Sequence, residues 1–235
     1  MNFKNISLYA DGANLEQIIQ LNKLNYIKGF TTNPTLMKSS GVKDYKKFAL
    51  DLLSHIKNKP ISFEVFSDNI KEMERQAYEI ATWGENINIK IPITNSKGIS
   101  TKNLIAKLCK DGIICNVTAI FTYQQLQEVM LKIEKKSRII LSVFAGRIAD
   151  TGVDPEIILK KCSKNLKKYP NAQLLWASTR EIFNIFQAER SGCKIITIPH
   201  DILSKLYNIN KNLNVFSIET VNMFYNDAKK AGYKI

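Results

Sequence analysis

Two charged residues interrupt apolar segments. Lys90 stands in Ile87-Asn88-Ile89-Lys90-Ile91-Pro92-Ile93, and Glu64 stands in Phe63-Glu64-Val65-Phe66. A buried ion pair is a poor source of stability, because desolvation offsets the Coulomb attraction. The pair therefore points to chemistry. A lysine in an apolar wall is pushed towards its neutral form, since burial disfavours charge. A neutral amine attacks a carbonyl and forms a Schiff base. The iminium is then an electron sink for breaking or making an adjacent carbon–carbon bond. Such a reaction needs a proton shuttle, for which Asp11 and Glu64 are candidates. Arg147 and Arg180, two of the five arginines, have the fork geometry that grips phosphate, and the Ser178 hydroxyl lies beside Arg180 in sequence.

These residues work together only if a fold gathers them. Eight strand-like runs are predicted: 6–10, 26–31, 61–66, 87–93, 113–119, 139–145, 173–178 and 194–198. Helical patterns alternate with them at 14–24, 44–56, 69–83, 101–110, 122–136, 155–169, 180–190 and 201–209. Each has apolar residues at three- and four-residue spacing, which gives one buried face. Asp154-Pro155 is a good helix start, and a short helix is expected from Pro34. A further helix is expected over about 217–232. Eight βα units in 235 residues predict an α/β chain folded as a single (β/α)8 TIM barrel over 1–235 with an extra C-terminal helix. The first strand is followed by ADGAN, with one glycine, so no dinucleotide-binding turn is expected.

In such a barrel chemistry gathers at the C-terminal ends of the strands. The first seven runs each carry polar groups there: Asp11 and Asn14; Thr31, Thr32 and Asn33; Glu64; Lys90; Asn116 and Thr118; Ser142 and Arg147; Ser178, Thr179 and Arg180. Ordinary roles compete. Asp11 and Asn33 fit helix caps as well as they fit chemistry. Asn116, Thr118 and Ser142 fit hydrogen-bonded barrel interiors.

Composition narrows the class. The net charge of +13 suits nucleic acid, a membrane surface or an anionic substrate. The lysines, however, are spread over nearly every helix as solvated faces, which argues against nucleic acid. No apolar run reaches membrane-spanning length, and no signal-peptide pattern opens the chain, so a cytoplasmic protein is expected. Cys109, Cys115, Cys162 and Cys193 form no C-x-x-C pair, and His55 and His200 stand at no ligand spacing from them. Buried thiols are expected, with no metal and no organic cofactor.

The order of these motifs resembles the transaldolase family across nearly the whole chain. The matching segments are ADGAN (10–14), GFTTNPTLMKSSG (29–41), FEVFS (63–67), IKIPIT (89–94), NVTAIFT (116–122), SVFAGRIAD (142–150), ASTR (177–180) and IITIPHDIL (195–203). The resemblance implies a Schiff-base lysine at Lys90 and an acid/base at Asp11. It implies that Glu64 and Thr118 hold a catalytic water. Asn33, Asn116 and Ser142 would bind hydroxyls of a dihydroxyacetone unit, with Phe144 beside them, and Arg147, Ser178 and Arg180 would bind phosphate. The implied reaction moves that three-carbon unit from a ketose phosphate to an aldose phosphate, as in the pentose phosphate pathway. Its partners would be sugar phosphates, and the compact subfamily implies a homo-oligomer. The related fructose-6-phosphate aldolases carry Gln where this chain has Glu64 and Tyr where it has Phe144, so both positions are of the transaldolase type. Gly12, Trp176, Thr179 and His200 depart from the residues common in the family. The rival readings are an aldolase that releases free dihydroxyacetone and a non-catalytic anion- or nucleic-acid-binding barrel.

Overall fold

The computed structural model describes Phe3 and residues 5–235. Eight parallel strands close into a barrel in chain order. They are β1 (Ser7–Asp11), β2 (Ile27–Thr31), β3 (Ile61–Glu64), β4 (Ile87–Pro92), β5 (Cys115–Ile120), β6 (Ile139–Val143), β7 (Ala172–Trp176) and β8 (Ile195–Pro199). The helices are α1 (Leu15–Asn22), α2 (Pro34–Ser39), α3 (Tyr45–His55), α4 (Ile70–Ala81), α5 (Lys102–Lys110), α6 (Tyr123–Met130), α7 (Ala145–Ala149), α8 (Pro155–Leu166), α9 (Asn184–Arg190), α10 (His200–Leu203) and α11 (Leu213–Ala231). The protein is a (β/α)8 barrel with an added C-terminal helix. No helix among the described residues is long and apolar enough to cross a membrane.

Strand alternation explains the two faces of the wall. In Ile87-Asn88-Ile89-Lys90-Ile91, Ile89 and Ile91 are fully buried in the large outer core together with helix residues such as Leu104, Ile105 and Leu108. Asn88 and Lys90 point the other way, into the barrel. Helix starts are fixed by side-chain caps: Asn14, Asp44 and Asn69 accept N–H bonds from the first turns of α1, α3 and α4, and Thr122 forms a capping box with Gln125 at α6. All four cysteines are free, and Cys115, Cys162 and Cys193 are buried.

Several helices differ from the sequence pattern. The one expected over 201–209 is the short α10 followed by a 3-10 turn at Leu206–Asn208. The helix α6 stops at Met130 and does not run on to 136. Beyond it Leu131 is 73% exposed, while Ile133 still packs into the core outside any helix. The helix α9 starts at Asn184 where the pattern extends back to 180. The Asn184 side chain accepts the N–H groups of Arg180 and Glu181 at 2.8 and 3.1 Å, which competes with helix in that segment. The helix α11 begins four residues before the expected 217, where Asn212 caps its first turn.

Candidate active site

A cavity of about 460 Å³ opens at the C-terminal end of the barrel. All eleven residues singled out above line it: Asp11, Asn33, Glu64, Lys90, Asn116, Thr118, Ser142, Phe144, Arg147, Ser178 and Arg180. This is the end where β–α loops of such barrels build their sites.

Register places the charged groups side by side. Glu64 pairs with Lys90 across β3 and β4, and Lys90 pairs with Asn116 across β4 and β5. Lys90 is only 7% exposed. Its Nζ donates to the Thr32 carbonyl at 2.7 Å and lies 3.0 Å from Glu64 Oε2. This corrects one expectation. The flanking isoleucines do not wall the amine: they face the helices, and the amine sits in a polar interior. Glu64 touches Lys90 directly as an ion-pair partner. Below Glu64, the Tyr45 hydroxyl donates to its carbonyl at 2.7 Å, which ties the end of β3 to α3.

Asp11 does not cap the first helix; Asn14 does. The Asp11 carboxylate instead accepts from the Thr31 hydroxyl at 2.7 Å, and that hydroxyl also contacts the Thr197 hydroxyl on β8. Burial pushes the Asp11 carboxyl above the usual aspartate range; the Lys90 charge and the Thr31 bond pull it down, and the Glu64 charge pushes it up. Asn33 is both a helix cap and a cavity-lining residue. Its Oδ1 caps α2 through the Leu36 N–H at 2.9 Å, while the side chain lines the cavity. Deeper in, Ser142 Oγ donates to Asn116 Oδ1 at 2.6 Å, and Asn116 Nδ2 donates to Ser62 Oγ at 3.0 Å.

The arginines are brought together by one glycine. A Cβ on Gly146 would lie 1.6 Å from the Ser178 carbonyl oxygen, so only glycine lets the start of α7 meet the loop after β7. Ser178 has φ +62°, and the Asn184 cap described above fixes the backbone of Arg180. The guanidinium of Arg147 lies 5.9 Å from the Phe144 ring centroid. Arg180 pairs with Asp150 at the rim. Thr118 precedes Ala119, whose φ of +57° marks a register shift between β5 and β6.

Sequence reasoning assigned no role to Thr31, Thr197 or Ser62. Thr31 and Thr197 follow the period-two inward pattern of their strands, the signal that could have found them; Ser62 lies two residues before Glu64 on the same face. Of the four unusual residues, Thr179 lines the cavity and donates to the Thr197 carbonyl at 2.7 Å. Trp176 is buried in the outer core. A Cβ at Gly12 would meet nothing within 4 Å.

A family model described as Transaldolase/Fructose-6-phosphate aldolase matches residues 8–235. A protein of Thermoanaerobacter sp. (strain X514) named a probable transaldolase is 33% identical over 231 residues, covering 98% of this chain and all of that one. One of the same name from Dehalococcoides mccartyi is 32% identical over 200 residues, covering 85% of this chain and 89% of that one. Among solved structures, 2,3-dimethylmalate lyase superposes with a TM-score of 0.57 at 12% identity, over 97% of this chain and 84% of that one. That last likeness shows the barrel fold alone.

Proposed function

The chain belongs to the transaldolase/fructose-6-phosphate aldolase family, and on that premise we propose that it is a transaldolase. It transfers a dihydroxyacetone unit from a ketose phosphate, such as fructose 6-phosphate or sedoheptulose 7-phosphate, to an aldose phosphate, such as erythrose 4-phosphate or glyceraldehyde 3-phosphate. The observation that carries this reading is Lys90. A lysine with 7% exposure, held by Glu64 and the Thr32 carbonyl, opens into a cavity that also holds Asp11 and two arginines.

In this reading Lys90 attacks the ketose carbonyl and the carbinolamine loses water to give an imine. Glu64 and Thr118, which both line the cavity, hold the water through which protons pass in those steps. Asp11 removes the proton from the C4 hydroxyl, the C3–C4 bond breaks, and its electrons flow into the iminium. The aldose phosphate leaves, and the bound three-carbon nucleophile adds to the acceptor aldehyde. Asn33, Asn116 and Ser142 hold the hydroxyls of the three-carbon unit. Arg147, Arg180 and Ser178 hold the phosphate through charge-assisted bonds. No metal or organic cofactor takes part. The setting is the pentose phosphate pathway of the cytoplasm.

The same reading includes a homo-oligomer. The helix α11 buries none of its side chains and exposes Leu213, Ile218, Val221 and Phe224, each by at least 62%. A second copy of this chain is the surface expected to cover them.

The test is borohydride reduction in the presence of fructose 6-phosphate. A three-carbon adduct on Lys90, absent in Lys90→Met, is expected; an adduct on another lysine, or none, overturns the reading. Acceptor dependence separates transaldolase from an aldolase that releases free dihydroxyacetone. Product formation should require erythrose 4-phosphate.

A further inference from the structure

A second cavity, of about 360 Å³, opens at the opposite, N-terminal end of the barrel. Its polar lining comes from Tyr9, Asn88, Arg138, Asn171 and Gln173. The two cavities are separate. Between them Tyr9, Ile140, Leu175, Ala177 and Ile195 pack into one apolar cluster with Phe144 against it. Ala177 and Phe144 face the upper cavity, and Tyr9 and Ile140 face the lower. The Tyr9 ring crosses the interior over β2, where a Cβ on Gly29 would come within 2.6 Å of it.

In the lower cavity Asn171 is bonded, its Nδ2 donating to the Lys136 carbonyl at 2.9 Å, but other donors are unused. Asn88 is 4% exposed and Tyr9 7%. Among the described residues neither the Asn88 amide nor the Tyr9 hydroxyl has a hydrogen-bond partner, and Arg138 forms no ion pair. Buried polar groups are ordinarily partnered by protein or ordered water. Two nearly buried donors and a guanidinium converge on one cavity, and no Asp or Glu lines it. A guanidinium beside amide and hydroxyl donors, with no competing carboxylate, is the chemistry that binds an oxyanion.

We propose that this basal cavity binds a small oxyanion, a phosphate- or carboxylate-bearing metabolite, with Arg138 as the charged anchor and Asn88, Tyr9 and Gln173 as donors. The site lies directly beneath the upper one. Tyr9, Asn88 and Ile140 are two residues before Asp11, Lys90 and Ser142 on the same inward faces of β1, β4 and β6.

The experiment is isothermal titration of inorganic phosphate and, separately, malonate into an Arg147→Ala/Arg180→Ala double variant, which lacks the arginines of the upper cavity. One saturable site for at least one anion is expected, and which anion binds tells phosphate from carboxylate. Adding Arg138→Met should weaken binding at least tenfold. Arg138 is exposed, so this change leaves the fold intact, and the melting temperature of each variant checks that. Absence of saturable binding for both anions, or binding indifferent to Arg138→Met, overturns the proposal. The readout is binding and needs no turnover, so it stands or falls apart from the transaldolase reading.

Discussion

Asn116 and Asn88 lie on neighbouring strands, both point into the barrel, and both are at most 4% exposed. Asn116, near the upper cavity, is bonded on both sides of its amide, to Ser62 and Ser142. Asn88, near the base, is bonded to neither. The contrast extends to their neighbours. At the upper end Lys90, Glu64, Asp11, Thr31 and Thr197 form two bonded groups, while at the base Tyr9 and Arg138 stand free among the described residues. A side chain whose donors and acceptors are already used is fixed in one rotamer. A side chain with free donors is available to something else. The upper end is therefore a preorganised constellation of charges, while at the base Asn88, Tyr9 and Arg138 have no protein partner among the described residues.

The largest test of that preorganisation is Asp11→Asn. It keeps the shape and the Thr31 contact but removes the proton acceptor. A fall in kcat of about 10²–10⁴-fold is expected from losing a positioned general base, with the borohydride adduct on Lys90 still forming from donor. Near-normal turnover would show that the upper end does not depend on this carboxylate. The next test is stability. Asn116→Leu strands the Ser62 and Ser142 hydroxyls in a buried site, at a cost of about 1–3 kcal/mol for each group left unsatisfied. Urea unfolding should read a loss of about 2–6 kcal/mol on that basis; a loss below about 1 kcal/mol would mean the upper network is not rigid.

The two ends were unequally legible in the sequence. Lys90 and Glu64 announced themselves by breaking apolar strands, and period-two alternation placed every strand within about two residues of where it forms. The same alternation was misjudged at Lys90. The isoleucines that flank it in sequence face away from it in space, because neighbours on a strand point to opposite sides. The Glu64–Lys90 contact depends on the β3–β4 register, which no single strand encodes. The loop geometry was hidden for a related reason. Gly146 is one glycine in FAGRIAD, and only the carbonyl of Ser178 pressing against it, 32 positions away in the chain, shows why it must be glycine. Asn184 looked like the interior of a helix, whereas its side chain closes the Arg180 loop. At the base nothing signalled a site, since Tyr9, Asn88, Arg138 and Gln173 come from four strands or their starts and belong to no motif.

A smaller effect separates positioning from mere support at the upper end. Burial raises the Asp11 carboxyl, and the Thr31 hydroxyl holds it down by bonding to the charged form. Thr31→Val removes that bond, so Asp11 should protonate at higher pH still. Turnover that needs the carboxylate then loses its acid side earlier, and the lower limb of the pH profile of kcat/KM moves to higher pH. Thr31→Ser should restore it. A drop in rate that is equal at every pH would instead mark Thr31 as structural support.

The smallest effect is expected at the base, and it bears hardest on the comparison. Asn88→Leu replaces an unbonded amide by an apolar group of similar size. Removing a polar group that has no partner strands nothing, and such replacements are near neutral or stabilising. Unfolding free energy should change by no more than about 1 kcal/mol, in either direction. The same residue change one strand away at Asn116 is expected to cost several times more. If Asn88→Leu cost as much as Asn116→Leu, the Asn88 amide would have to be bonded in solution in a way the barrel's own atoms do not provide. The base would then be as ordered as the upper end, and the distinction between a preorganised site and a set of free donors would fail.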